Sequence, residues 1–366
     1  MLDDMLVADA TAHGFNWTDS NMHIPQARSI RTSSYALHRT ISEVRPELLL
    51  TEEEFGRDWL MDDVADTLFF ESGIDLISHH GTPIFDFWKD GHTATHKGLE
   101  MKAKYPSRVI VYAAICPWFF DSEAEIRREV DLHADAGATG LKIYGARYVN
   151  GKTIGQRMDD EKYAYPMIEQ ALERGIKVIA SHKAIPAGPV HYAPYGVDDF
   201  PLACASYPEM KFEIVHSGWA FVEETAFIAA AYENCWFNLE ASFALITKQP
   251  RRFAEFLGQL LLSGAEDRTV YSSGFAIWHP KLALDAFLDF QMPNDLVEDY
   301  GMPQLTRAMK EKILGLNYLA MHDIDPAQFR QDTKDDEVSR RQANGPDEPW
   351  SNVRARIPSS SSQPVA

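Results

Sequence analysis

Eight short apolar runs, most of them separated by helix-like segments, recur along this 366-residue chain, and that repeat constrains its fold more than any other feature. The runs span 5–13, 73–81, 108–116, 139–146, 175–183, 211–218, 235–242 and 269–275. Each is short, apolar and bounded by turn residues, as buried strands are. The segment DSEAEIRREVDLHADAG between the third and fourth runs begins acidic and ends in Gly, as a capped helix does. YAYPMIEQALERG, FVEETAFIAAAYEN and RRFAEFLGQLLLSG read the same way. Apolar strands alternating with helices imply a parallel sheet covered by helices. Eight such units predict an α/β chain closed into a (β/α)8 barrel of the TIM type.

Two regions stand outside the repeat. Residues 17–72 are too long for one tight βα unit and hold an acidic helix around TEEEFGRDWLMDDVADTLF; they read as a lid-like insertion after strand one. FDFWKDGHTATHKG (85–98) is a second long loop, rich in aromatics. The barrel is expected to occupy residues 1–330. Residues 331–366 turn polar and rich in Pro, Ser and charge, which predicts a tail that is disordered or binds a partner.

Charge narrows the partners. Lys and Arg number 35 against 54 Asp and Glu, a net charge of −19. Such a surface repels nucleic-acid phosphates and anionic lipid, so neither nucleic acid nor membrane is expected. Cys116, Cys204 and Cys235 are widely spaced and odd in number, which suits a reducing compartment. With no signal-like N-terminus and no apolar run of about 18 residues, a cytoplasmic protein is expected.

Catalytic groups in such a barrel gather at the C-terminal ends of the strands. Asp9, Thr11 and His13 share one parity on strand one. Strand two ends in His79-His80, one of which must point inward. Strand four carries Lys142 and Tyr144, strand five ends at His182, strand six at His216, and strand seven presents Asn238, Glu240 and Ser242. Imidazoles and a carboxylate converging from separate strands are what a divalent transition metal needs. A histidine near one strand end is commonly a hydrogen-bonded structural group; three in register at strands one, five and six point to a metal. Strand eight ends in Ser272-Ser273-Gly274, with no acid–base side chain at its tip.

The stretches GLKIYGAR, GQRMDDEKYAYPMIEQALERGIKVIASHKAIPAGPV, FEIVHSGWAFVEETA, FNLEAS, RRFAEFLG and KILGLNYLAMHDID resemble the amidohydrolase superfamily. Within it they are similar to the amidohydrolase-related branch that includes decarboxylases of the aminocarboxymuconate semialdehyde type. The resemblance covers roughly residues 5–323. It implies a His-x-His pair on strand one, His on strands five and six, and Asp on strand eight, with a Lys carbamate or Glu as a bridge in many members. Here the pair reads Thr11-Ala12-His13, and the strand-eight Asp falls on Gly274. In the hydrolases of that family the Asp binds metal and takes the proton of the attacking water. Gly can do neither, so ordinary hydrolysis is not expected.

The chain also resembles a subunit of a di-metal hydroxylase of 2-aminoisobutyrate, built from two related subunits. That implies an oxygenase with iron and/or manganese, as one or two ions, acting on a small amino acid, in an oligomer that includes a paralogous amidohydrolase-like subunit. The implied roles are metal ligation by His13, His182, His216, Glu240 and His79, with Glu240, His80, Lys142 and His279 as catalytic candidates. His279 is the base that replaces the lost Asp, or else a packed loop residue beside Trp278. Alternatives stay open: a zinc-dependent hydrolase or decarboxylase of a small carboxylate, or a catalytically silent partner of an active paralogue. Lys183 in the loop after strand five is a candidate carboxylate holder, and Trp118, Phe119, Trp219 and Phe221 are candidate pocket walls. Cys116 lacks a partnering base, and no GxxxxGK[ST] pattern supports nucleotide binding.

Overall fold

The computed structural model describes residues 5–356. Eight parallel strands run in sequence order around one sheet: β1 (Ala8–Ala12), β2 (Leu76–His80), β3 (Val109–Ala114), β4 (Gly140–Tyr144), β5 (Val178–His182), β6 (Lys211–Val215), β7 (Cys235–Asn238) and β8 (Thr269–Val270). The last strand returns to the first. Ala10 N donates to Tyr271 O at 3.1 Å and His13 N to Phe275 O at 2.6 Å, which closes the (β/α)8 barrel expected from the repeat. All eight expected strands form, each shorter than its apolar run.

Local chemistry explains the elements. Ile179, Ile214 and Phe237 are fully buried on neighbouring strands, where the helical layer covers them. The helix Glu123–Asp135 starts with a capping box, Ser122 Oγ accepting from Glu125 N while the Glu125 carboxylate accepts from Ser122 N. It stops before Gly137, whose φ of +97° suits only a residue without Cβ.

The insertion forms the helix Ala27–Ser42 and shorter turns. Ile30, Ser33, Ser34 and Leu37 of that helix border a cavity at the barrel mouth. His38 ties the helix down: its Nδ1 donates to Ile277 O at 2.7 Å, and its Nε2 accepts from Leu50 N at 2.9 Å. The aromatic loop folds as a small hairpin, Thr82–Pro83 against His92–Thr93.

The polar tail differs from expectation over residues 331–356. Helices Pro326–Thr333, Glu337–Gln342 and Ser351–Arg356 fold against the chain's own barrel. Buried Arg108 donates to Asp336 Oδ1, Thr333 O and Ser339 Oγ. Trp350 is fully buried between Trp59 and Phe275, and its Nε1 donates to Leu48 O at 2.8 Å. One large aromatic anchor outweighs the low average hydrophobicity of the segment. Residues 357–366 lie outside the described residues. Among the described residues no helix is long and apolar enough to cross a membrane.

Candidate metal centre

Backbone strain marks the mouth of the barrel. Beyond β5, β6, β7 and β8 the chain enters positive φ at Ala184 (65°), His216 (66°), Ser217 (46°), Ala241 (57°) and Gly274 (67°). Non-glycine residues rarely adopt this region, and such strain clusters at functional sites. A cavity of about 300 Å³ opens there, with His13, His182, His216, Glu240 and Gly274 at its base. Its walls are mostly hydrocarbon and aromatic, including Phe15, Trp17, Ile84, Tyr144, Ile185 and Trp278.

Each of the three imidazoles is anchored by one ring nitrogen to a backbone carbonyl. His13 Nδ1 donates to His80 O at 2.8 Å, His216 Nδ1 to Glu240 O at 2.9 Å, and His182 Nε2 to Ile185 O at 2.6 Å. A carbonyl only accepts, so these nitrogens carry the protons. The remaining nitrogens turn toward one another and toward Glu240. His182 Nδ1 stands 3.2 Å from His216 Nε2, His13 Nε2 is 3.3 Å from Glu240 Oε1, and His216 Nε2 is 3.9 Å from Glu240 Oε2. Burial pushes the pKa of His182 and His216 down, in the direction that favours the neutral rings. Two lone pairs therefore face each other. Glu240 Oε2 is buried without a hydrogen-bond partner. Against its burial, the Glu240 carboxyl is held ionised, far below the usual carboxylate range, by the pull of the neighbouring His216, His13 and Lys142 and by its hydrogen bond with His13 Nε2.

This donor set fits a cation. A carbonyl on one nitrogen and a free lone pair on the other is the usual dress of a metal-binding histidine. Donors about 2.1 Å from an ion stand roughly 3–3.5 Å apart, close to the separations found. Among the described residues no three His, Cys, Asp or Glu side chains form a finished ligand set as they stand. An ion would have to draw these four together.

The other candidates stand elsewhere. His80 points into the barrel interior, stacked on Tyr112 at 4.1 Å with Nδ1 3.5 Å from Thr11 Oγ1, and does not line the cavity. His79 points the opposite way, a correction to its expected role as a ligand. It packs against the helix Thr95–Lys104, where a Cβ on Gly98 would fall 2.3 Å from its Nδ1. Lys142 is fully buried with an unpartnered Nζ; burial lowers its pKa to about 8 against the attraction of Glu240 and Glu213. It too is absent from the cavity wall. His279 is not a replacement base: its Nε2 lies 3.1 Å from Glu71 Oε2, its ring abuts Trp350, and it is fully buried away from the cavity. Ser273 and Ser272 serve the barrel seam. Ser273 N and Oγ donate to Asp9, and Ser272 Oγ donates to Thr11 O.

Lys183 does hold a carboxylate, that of the chain's own buried Asp199, at 2.7 and 2.9 Å. Trp118, Phe119, Trp219 and Phe221 do not line the cavity. Burial pushes the Cys116 thiol up to about 12, which suits an inert core residue. Sequence reasoning missed Trp17 and His92 as cavity residues. The aromatic composition of the loop around His92 was the available signal.

The chain belongs to the amidohydrolase family, whose model matches residues 56–321. His182, His216, Glu240 and Gly274 fall within the match, and His13 precedes it. No protein of curated function matches the sequence. Solved structures share the fold at low identity. An uncharacterized TIM-barrel protein from Bordetella bronchiseptica has a TM-score of 0.62 at 15% identity, over 87% of this chain and 99% of its own. The 2,6-dihydroxybenzoate decarboxylase from Rhizobium has 0.56 at 14%, over 90% and 99%. A 5-carboxyvanillate decarboxylase from Novosphingobium aromaticivorans, complexed with manganese and 4-hydroxy-3-methoxy-5-nitrobenzoic acid, has 0.54 at 15%, over 88% and 97%.

Proposed function

We propose that this protein is a metal-dependent decarboxylase of a small carboxylic acid with a largely apolar body. The observation that carries the reading is the pair of inward ring nitrogens on His182 and His216, with His13 Nε2 on the ionised Glu240, gathered at one apolar cavity. A divalent ion held by those four residues, manganese or iron by their mixed imidazole and carboxylate character, would supply a Lewis-acid anchor for an anionic substrate. Phe15, Ile84, Ile185 and Ile277 give the cavity apolar walls. Such walls destabilise a localised carboxylate relative to a state in which its charge has spread. Lys142 Nζ, buried and attracted by Glu240 and Glu213, has its pKa lowered to about 8 by burial. In loss of carbon dioxide the carbon–carboxyl bond breaks, its electron pair stays on the substrate carbon, and a proton from solvent takes the place of the carbon dioxide; no activated water attacks, so Gly274 in place of an acid costs this chemistry less than it costs hydrolysis. The decarboxylases that share the fold support the same choice.

This reverses the preference drawn from the sequence. The oxygenase reading, hydroxylation of a small amino acid such as 2-aminoisobutyrate, rests on the resemblance to a two-subunit hydroxylase, on Gly274 and on a donor set that suits redox-active iron or manganese. A second ion would need further donors at the cavity, and His79, His80 and Lys142 do not reach it. One experiment separates the two. Manganese- or iron-loaded protein is given 2,6-dihydroxybenzoate and related carboxylates, or 2-aminoisobutyrate with a reductant, and carbon dioxide release and dioxygen uptake are followed together. Carbon dioxide release without dioxygen uptake is expected. Turnover that requires dioxygen would replace this reading with the oxygenase one.

A further inference from the structure

His92 returns from the aromatic loop with φ at 90°, in a region that residues with a Cβ rarely occupy. Hydrogen bonds on both sides hold it there: His92 N donates to Asp90 Oδ1 at 2.8 Å, and Asn16 N donates to His92 O at 2.9 Å. The ring lines the cavity and is 3% exposed. Trp88 stacks on it at 4.5 Å, Phe15 stacks at 4.4 Å, and Trp17 meets it edge-on at 4.1 Å. Phe15 in turn stacks on His13 at 4.6 Å, so one ring separates His92 from the metal centre. Inside this clamp His92 Nε2 is buried with no hydrogen-bond partner, and Trp17 Nε1 on the same wall is unpartnered too.

A strained backbone and unpartnered nitrogens brought together on a cavity wall point to a ligand, since an apolar ring would fill the same space. We propose that His92 is a substrate-positioning residue whose Nε2 hydrogen-bonds a hydroxyl oxygen of the substrate, one ring away from the end held at the metal. A hydroxyl satisfies either imidazole tautomer and can also accept from an indole N–H; neither a carbonyl nor an ammonium does both. The substrate class narrows to hydroxylated carboxylic acids. This rests on the reading of the site as a carboxylate-binding metal centre.

The test uses the full chain loaded with manganese, and 2,6-dihydroxybenzoate and benzoate as probes in titration calorimetry. Wild type should prefer the hydroxylated probe. His92→Phe keeps the stacked ring and removes both nitrogens. It should cut that preference about three- to tenfold, the range of one net hydrogen bond, with benzoate binding little changed. An undiminished preference in the variant overturns the proposal. If neither probe binds wild type, the carboxylate reading fails, and thermal unfolding of the two ligand-free proteins then decides the role of His92. A variant at least as stable as wild type upholds an unmet nitrogen kept for a ligand. A fall of several degrees marks a structural histidine and overturns the proposal.

Discussion

His182 Nδ1 and His216 Nε2 face each other at 3.2 Å while the opposite nitrogen of each ring is held by a carbonyl. Two neutral imidazoles in this arrangement repel unless something positive lies between them. Metal binding should therefore stabilise the fold. Stripping divalent ions with a chelator should lower stability, and returning manganese at about a thousand times its Kd should restore about 4 kcal/mol. Differential scanning calorimetry with and without manganese measures it; an unchanged Tm would contradict the claim.

Glu213 is fully buried, accepts from Asn238 Nδ2, and has its pKa pushed up to about 7 by burial. Its ordinary value is 4.5, so between pH 4.5 and 7 the folded state binds more protons than the unfolded one. The native state then loses stability as pH rises through that window. Glu213→Gln keeps an oxygen for Asn238 and removes the charge. The variant should be more stable than wild type at pH 8, by about 1–3 kcal/mol, and nearly equal to it at pH 4. Urea unfolding at the two values measures the difference. An equal effect at both would refute this account of Glu213.

Gly274 has φ at +67°, and a Cβ there would stand 3.3 Å from Trp278 Cζ2 and 3.4 Å from Glu240 Cγ. Restoring the acid that the family resemblance places here should not restore water activation. Gly274→Asp must accept a left-handed backbone and a second carboxylate beside Glu240. The expected result is a loss of about 1–3 kcal/mol and no ester or amide hydrolysis with zinc. Hydrolysis in that variant would contradict the claim that a strained acid at 274, pressed against Trp278 and Glu240, cannot serve as the base.

Trp350 buries its whole side chain far from β1 to β8 in sequence, and its main-chain N donates to Glu71 Oε2 at 2.7 Å. Trp350→Ala should cost about 3–5 kcal/mol. It should also loosen His279, whose ring lies against the indole and whose Nε2 meets the same Glu71 oxygen. An unchanged Tm would show that the C-terminal segment is an ornament of the fold and not part of its core.

The sequence carried the barrel because each strand declares itself locally through a short apolar run. The gathering of His13, His182, His216 and Glu240 was legible for a related reason, since strand ends in a closed barrel meet at one rim. What failed depended on contacts distant in sequence or on a broken alternation. The register between β1 and β2 shifts between Asp9 and Ala12, so parity alone did not settle His79 against His80. His279 finds Glu71 some 208 positions away, which no local pattern reports. The tail reads as polar on average, yet Trp350 and the partners of Arg108 fix it. His92 sits in a loop whose positive φ only the folded chain reveals.

The central claim is that His13, His182, His216 and Glu240 together grip a divalent transition ion. Elemental analysis of the purified full chain, beside His216→Ala and His279→Ala, tests it most directly. The account predicts bound manganese or iron in wild type and in His279→Ala, with a loss of at least tenfold in His216→Ala. Metal retained at the wild-type level in His216→Ala, or none in a wild-type protein offered both ions, would contradict it.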